Sequence, residues 1–397
     1  MPWNEVTCMD QKMEFVADVL RETLDMSEVC RRYGVSRKTG YKLIERYKEE
    51  GAAGLEERSR RPKSCPHQTP DEIEQMIVEA RRRHPHWGPK KLLKILSKKK
   101  PLKCWPARST ICDILARNDL IAPQRKRWRQ GHPGKPTIEA QAPNDLWSAD
   151  FKGQFRMGNG IYCYPLTVTD NHSRMLLCCK GLLTTACQDA KPVFRRLFEE
   201  YGLPLRIRSD NGVPFATNSL ARLSTLSAWW IRLGVLPQLI EPGKPQQNGK
   251  HERMHKTLKA ETTRPPAASL KGQQIKFDVF REEFNHLRPH ESLDQETPES
   301  MYVPSPRPFP SKIPRLEYPA HYEKRLVSDN GGIRWHHGWV NVSSCCAGEY
   351  VGLEEIDDGV WEIYFGPVKL GRLLEEHLKI EDQFGRLKRQ NRGSETS

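Results

Sequence analysis

The 397-residue chain is too long for one ordinary core, so two to four domains are expected, each able to bury an apolar interior. A formal charge of +14 calls for a polyanionic partner, and the excess is local: residues 51–140 hold 21 Lys/Arg against 9 Asp/Glu, whereas residues 1–50 hold 9 against 10. No apolar run approaches bilayer length, no secretory leader stands out, and the eleven cysteines form no Cys-x-x-Cys pair, which argues against membrane, disulfide-scaffold and structural-zinc classes and for reduced thiols in a cytoplasmic compartment.

Residues 10–50 read as three short helices, with Phe15, Val19, Val29, Val35, Leu43 and Ile44 marking buried faces. Gly34 supplies a turn and Ser36 an N-cap, and Arg37, Lys38, Thr39, Tyr41 and Lys42 follow on the exposed start of the third helix. That is helix-turn-helix spacing, with the third helix suited to a major groove, although Gly40 inside it costs about 1 kcal/mol relative to alanine. The alternative is a three-helix bundle with a solvated polar face. The boundaries expected are a helix-turn-helix domain over 1–52 and a basic linker over 53–69, in which Arg58, Arg60 and Arg61 could track a minor groove or simply be solvated. A second helix-turn-helix-like unit spans 70–120, its middle helix starting at Trp87-Gly88-Pro89 and its last capped by Ser109, with Lys90 and Lys91 among its basic residues. Residues 121–143 form another basic linker.

From 144 to 288 the pattern turns to strands and helices: strands at 146–155, 161–169, 175–183, 205–209 and 235–240, helices at 186–201 and 217–233, and another helix from 245. This predicts a mixed sheet covered by helices. Frequent prolines over 289–320 read as an extended strap rather than a packed element, and short alternating runs over 321–380 as a small β-barrel, followed by a polar tail over 381–397. The pairs Cys178-Cys179 and Cys345-Cys346 are placed in strand-like runs as packing residues.

Three acids stand in contexts that suit shared divalent ions: Asp150 in the first strand, Asp210 in Ser209-Asp210-Asn211-Gly212 and Glu252 on the later helix. Each alone has a structural reading, as a strand, turn or ion-pairing residue. Magnesium prefers hard oxygen ligands, and three carboxylates can hold two ions about 4 Å apart, one at the attacking and one at the leaving oxygen. Glu252, Lys256 and Lys259 share one helix face while Met254 and Leu258 face the core, which puts a metal-binding acid and two cations on one stripe beside Arg253.

With Trp147-Ser148-Ala149-Asp150-Phe151, Pro245-Gln246-Gln247-Asn248-Gly249, Glu252-Arg253-Met254-His255 and Arg288-Pro289-His290-Glu291, the chain resembles bacterial insertion-sequence transposases whose catalytic domain is similar to retroviral integrase. The resemblance implies a multidomain protein: all-α helix-turn-helix modules, an α/β ribonuclease H-like core and a small SH3-like barrel. It implies Asp150, Asp210 and Glu252 as metal ligands and catalytic residues, two Mg2+ ions with Mn2+ as substitute, and Lys259 as a DNA-contacting lysine. The 41 residues between Asp210 and Glu252 exceed the usual integrase spacing, so Glu241 remains an alternative third ligand. The function implied is a DNA transposase that binds terminal inverted repeats, cleaves 3′ ends and joins them to target DNA, acting as at least a dimer on duplex DNA in the bacterial cytoplasm, at the nucleoid. The rivals are a catalytically silent DNA-binding regulator and a ribonuclease H-like nuclease.

Overall fold

The computed structural model describes residues 7–58, 68–121, 139–241 and 245–382. Two compact units result, Met1–Thr69 and Pro70–Ser397. Arg60 and Arg61 lie outside the described residues.

The first unit packs α1 (Cys8–Leu20), α2 (Met26–Arg32) and α3 (Arg37–Glu50), closed by a 3-10 turn at Gly51–Leu55. Gly34 takes φ +65° between α2 and α3, a left-handed conformation that glycine adopts without a Cβ penalty. Ser36 caps α3, its Oγ accepting from Thr39 N at 3.2 Å. Phe15, Val16, Val29, Cys30, Leu43, Ile44 and Leu55 form the core. Gly40 is part of that packing: a Cβ there would lie 2.6 Å from Cys30 Sγ and 3.0 Å from Phe15 Cζ. Its poor helix propensity therefore buys close approach of α2 to α3.

The second unit begins with α4 (Asp71–Arg83), α5 (Pro89–Lys99) and α6 (Arg108–Arg117) around Ile77, Trp87, Leu92, Ile111, Ile114 and Leu115. Ala107, with no side-chain bond, stands at the N-cap of α6, so Ser109 sits inside the first turn rather than capping it. The sheet follows: β1 (Leu146–Phe151), β2 (Phe155–Arg156), β3 (Tyr162–Asp170), β4 (Leu176–Leu182), α7 (Cys187–Tyr201), β5 (Arg206–Ser209), α8 (Thr225–Arg232), β6 (Leu236–Leu239), α9 (Gly249–Thr262) and α10 (Leu270–Glu282). β3 pairs antiparallel with β1 and β4, whereas β1, β5 and β6 run parallel. This is a mixed sheet of the kind a ribonuclease H-like core requires.

Strand alternation divides the sheet's residues between two helical layers. Trp147, Ala149, Val168 and Ile207 pack with Phe194 and Phe198 of α7 and Trp229 and Trp230 of α8. Cys163, Leu176 and Cys179 pack with Met254 and Leu258 of α9 and Phe277 and Phe280 of α10. Each such buried side chain contributes roughly 1.5–3 kcal/mol through removal from water. The first strand ends at Phe151, because Gly153 turns the chain at φ +79° before β2. The helix expected over 217–233 shortens to α8, since Ser224 forms a capping box with Ser227 that starts the helix there.

Three further expectations are corrected. The proline-rich stretch is extended but packed: Arg307 donates to Pro204 O at 2.8 Å and Gly234 O at 2.7 Å, and Tyr302 Oη donates to Asn144 Oδ1 at 2.8 Å. The C-terminal strands are β7 (Glu323–Leu326), β8 (Gly332–Trp335), β9 (Gly338–Asn341), β10 (Tyr350–Asp357), β11 (Val360–Phe365), β12 (Val368–Leu374) and β13 (Lys379–Glu381). They make an open five-stranded sheet, β13-β12-β11-β10-β7, and a separate hairpin, β8-β9, rather than a closed barrel. The hairpin strands form a ladder with each other, and they cover Val351, Leu353, Ile363 and Leu373 with Ile333, Trp335 and Val340. Cys178 and Cys179 lie in β4, whereas Cys345 and Cys346 fall in a 3-10 turn instead of a strand.

Candidate functional site

Asp150 sits near the end of β1, and Asp210 directly follows β5. The parallel register runs Leu146↔Arg206, Trp147↔Ile207, Ser148↔Arg208, so continuing both strands by two residues brings the chain to Asp150 and Asp210. Adjacent strands are about 4.8 Å apart, which makes these acids neighbours at the carboxyl ends of two central strands. Glu252 is exposed in the first turn of α9, the layer that covers this face.

Asp150 and Glu252 line one cavity of about 560 Å³ together with His255, Lys152, Lys256, Lys259 and Arg264. Burial pushes the Asp150 carboxyl up to about 7, and the charges of Asp210 and Glu252 push in the same direction against Lys152. Asp210 is also raised, by burial above all, while the N–H of Gly212 opposes the shift with a 3.2 Å bond to Oδ1. Crowded carboxylates of this kind are short of positive charge, and hard divalent cations are the chemistry that supplies it. Glu241, by contrast, is exposed, and its Oε1 accepts from Gln247 Nε2 at 2.8 Å.

Beneath the acids lies a polar group that the sequence reading passed over. His251 and His255 of α9 are buried against β3. Thr167 Oγ1 lies 2.7 Å from His251 Nε2 and 2.6 Å from His255 Nε2, and donates to Asp150 O at 3.1 Å. Thr169 Oγ1 stands 2.8 Å from His251 Nδ1, and His255 Nδ1 faces Asp150 Oδ2 at 3.7 Å. Burial lowers the two imidazoles to about 3 and about 2, so both are neutral at pH 7. Asp150, His251 and His255 form a set whose ligand atoms all lie within 4.8 Å of one another. The i, i+4 spacing of the histidines on the face that carries Met254 and Leu258 was the available signal.

The remaining predicted residues divide by surroundings. Arg37, Lys38, Thr39, Tyr41 and Lys42 are all exposed on α3, and Arg253, Lys256 and Lys259 are exposed on α9. Arg58 pairs with Glu50 within the first unit. Lys90 pairs with Glu291, Lys94 bonds Glu296 at 2.8 Å, and His84 Nδ1 lies 2.8 Å from Glu283. Lys91 is half-buried and lowered to about 8, by burial first and then by Arg288. Lys90 and Lys94 of α5 thus keep solvent exposure while pairing with carboxylates, and only Lys91 is drawn toward the interior.

Comparison with known proteins follows the same division. Two models described as integrase core domain match residues 140–245 and 233–298, a helix-turn-helix domain model matches 11–63 and a homeodomain-like domain model matches 39–115. Residues 140–298 are thus similar to integrase core domains. The uncharacterized protein of insertion element IS407 from Burkholderia multivorans is 28% identical to it over 197 residues, covering 46% of this chain and 65% of the relative. The uncharacterized protein of insertion element IS476 from Xanthomonas euvesicatoria is 26% identical over 185 residues, covering 45% and 50%. The chain thus spans between half and two thirds of the length of these relatives. The HTLV-2 integrase catalytic core domain in complex with magnesium aligns at 14% identity and a TM-score of 0.34, covering 42% of this chain and all of that one. Among the described residues no helix is long and apolar enough to cross a membrane.

Proposed function

We propose that this protein is a DNA transposase of the bacterial cytoplasm, acting at the nucleoid, that binds the terminal inverted repeats of an element, cleaves its 3′ ends and joins them to target DNA. The observation that carries the reading is Asp150: half-buried beside Asp210 and Glu252, pushed toward the protonated form by burial first and by those charges after it, and opening onto a cavity edged by lysines. Asp150, Asp210 and Glu252 suit two magnesium ions, with manganese as substitute, and the oxygen donor set fits their preference. Glu252 is assigned as third ligand in place of Glu241, since its charge acts on Asp150 and it shares the cavity. Bound ions would activate water or a 3′ hydroxyl and stabilise charge at phosphorus. Lys152, Lys256, Lys259 and Arg264 would neutralise the backbone phosphates that enter the cavity.

The exposed residues of α3, Arg37, Lys38, Thr39, Tyr41 and Lys42, are assigned to base and phosphate contacts in a major groove. Arg253 and Arg58 are assigned to phosphates, with the linker arginines 60 and 61. Lys90 and Lys91 are assigned to phosphates as well, Lys90 by exchanging its exposed pairing with Glu291. Two element ends in one complex require at least a dimer on DNA. The test is incubation with magnesium and duplexes carrying candidate terminal repeats. Joined products support the proposal; cleavage without joining makes the protein a nuclease, and retarded but intact DNA makes it a regulator. Asp150→Asn, Asp210→Asn and Glu252→Gln should each abolish joining while leaving the mobility shift within about threefold, a difference under 1 kcal/mol.

A further inference from the structure

The buried threonine hydroxyl of β3 fixes the protons of both histidines. Thr167 Oγ1 has one proton and two lone pairs, and contacts two imidazole nitrogens and the Asp150 carbonyl. A carbonyl can only accept, so all three contacts are hydrogen bonds in one arrangement alone: the hydroxyl donates to Asp150 O, and both Nε2–H groups donate to the hydroxyl. Each neutral ring then carries a bare lone pair at Nδ1. In His251 that lone pair accepts from the Thr169 hydroxyl at 2.8 Å. In His255 it faces Asp150 Oδ2 at 3.7 Å, beyond hydrogen-bond reach.

Two acceptors that face each other across such a gap are a place for a cation. Nitrogen and oxygen donors at about 2.1 Å from one ion stand roughly 3 to 3.5 Å apart in octahedral or tetrahedral geometry. A side-chain shift below an ångström closes the difference. We propose that His255 Nδ1 joins Asp150 Oδ2 as a ligand of a divalent ion at this cavity, giving the site a nitrogen donor that favours transition metals such as Mn2+ over Mg2+. Imidazole is a softer donor than carboxylate, and magnesium gains little from it. His251 is not a ligand: both its nitrogens have hydroxyl partners, and its part is to hold Thr167.

The inference rests on Asp150 as a metal ligand, and the test separates the two. Mn2+ is bound to the full-length protein without DNA, and electron spin echo modulation is recorded. The expected result is coupling to one directly bound 14N that disappears in His255→Gln. Calorimetric titration should show Mn2+ affinity falling at least tenfold in His255→Gln, with Mg2+ affinity changed less than threefold. Bound Mn2+ without nitrogen coupling overturns the ligand assignment and leaves Asp150 standing. Equal loss of both metals in the variant also overturns it, by reducing His255 to a positioning residue. Absence of any Mn2+ binding overturns both readings. The measurement on the unchanged protein decides the matter even where the variant does not fold.

Discussion

Replacing Thr167 by valine keeps the shape of the side chain and removes the one hydroxyl on which His251, His255 and the Asp150 carbonyl converge. Two buried imidazole donors then lack an acceptor. Each such group costs about 1–3 kcal/mol, and partial relaxation of the rings places the expected loss at about 2–4 kcal/mol. The chain contains several cores, so one global midpoint is poorly defined, and hydrogen exchange of the α9 and β3 amides in the full-length protein is the sharper measurement. A loss of that size accelerates exchange by about 30- to 1,000-fold. Thr167→Ser keeps the hydroxyl and gives up one methyl, an effect of about 1 kcal/mol. Exchange in the valine variant within threefold of the unchanged protein, or a serine variant as damaged as the valine one, would refute the hydroxyl-centred account.

Gly40→Ala should destabilise the first unit although helix propensity favours it by about 1 kcal/mol, because overpacking against Cys30 and Phe15 costs about 1–3 kcal/mol. Stronger exchange protection over residues 8–55 in that variant would contradict this. The folded-state values of His251, His255 and His290, about 3, 2 and 3, lie below the usual 6.5. Stability from these groups is therefore fully present above pH 6.5 and is lost as pH falls toward the folded values, by up to about tenfold in the folding constant per histidine per pH unit. Asp150, shifted upward, offsets one of the three. Denaturation followed between pH 7.5 and 5 in the presence of a chelator should show falling stability, and a flat profile would count against the buried neutral rings. Arg307→Met removes the donor that reaches Pro204 O and Gly234 O, so limited proteolysis between 302 and 314 should accelerate at least tenfold; an unchanged cleavage rate would mean that the strap is held by other contacts.

The helix-turn-helix unit was legible because its signals are local: Ser36 as cap, Gly34 as turn and the 3.6-residue spacing of Val29, Leu43 and Ile44 need no distant partner. The acids of the candidate site were legible through their motifs, and their placement on β1, after β5 and on α9 follows the expected elements. What escaped is long-range. His251 and His255 gain meaning only when β3 brings Thr167 and Thr169 beneath α9, across more than 80 residues of chain. Lys90 and Lys91 read as DNA-binding cations, and nothing local shows that Glu291 and Glu296, some 200 residues away, stand against Lys90 and Lys94 of α5. The prolines of the strap argued for an extended backbone, but composition shows neither the 3-10 turns at Glu291–Leu293 and Glu299–Met301 nor what the chain lies upon.

That strap bears on how the molecule can be divided. Tyr302 and Phe309 sit against the aromatic layer of the sheet, and Leu316 leads on into the interior of the C-terminal sheet, which also takes in Leu220, Leu223 and Ile231 from around α8. Arg232 of α8 meets Glu349 at 2.9 Å on the same boundary. A truncation at 288 would strip the cover from Trp229 and yield an insoluble fragment, and one at 320 would bare Leu220 and Ile231. The C-terminal sheet is thus no bead on a string: it is held at a set separation from Asp150, as a ruler holds two marks.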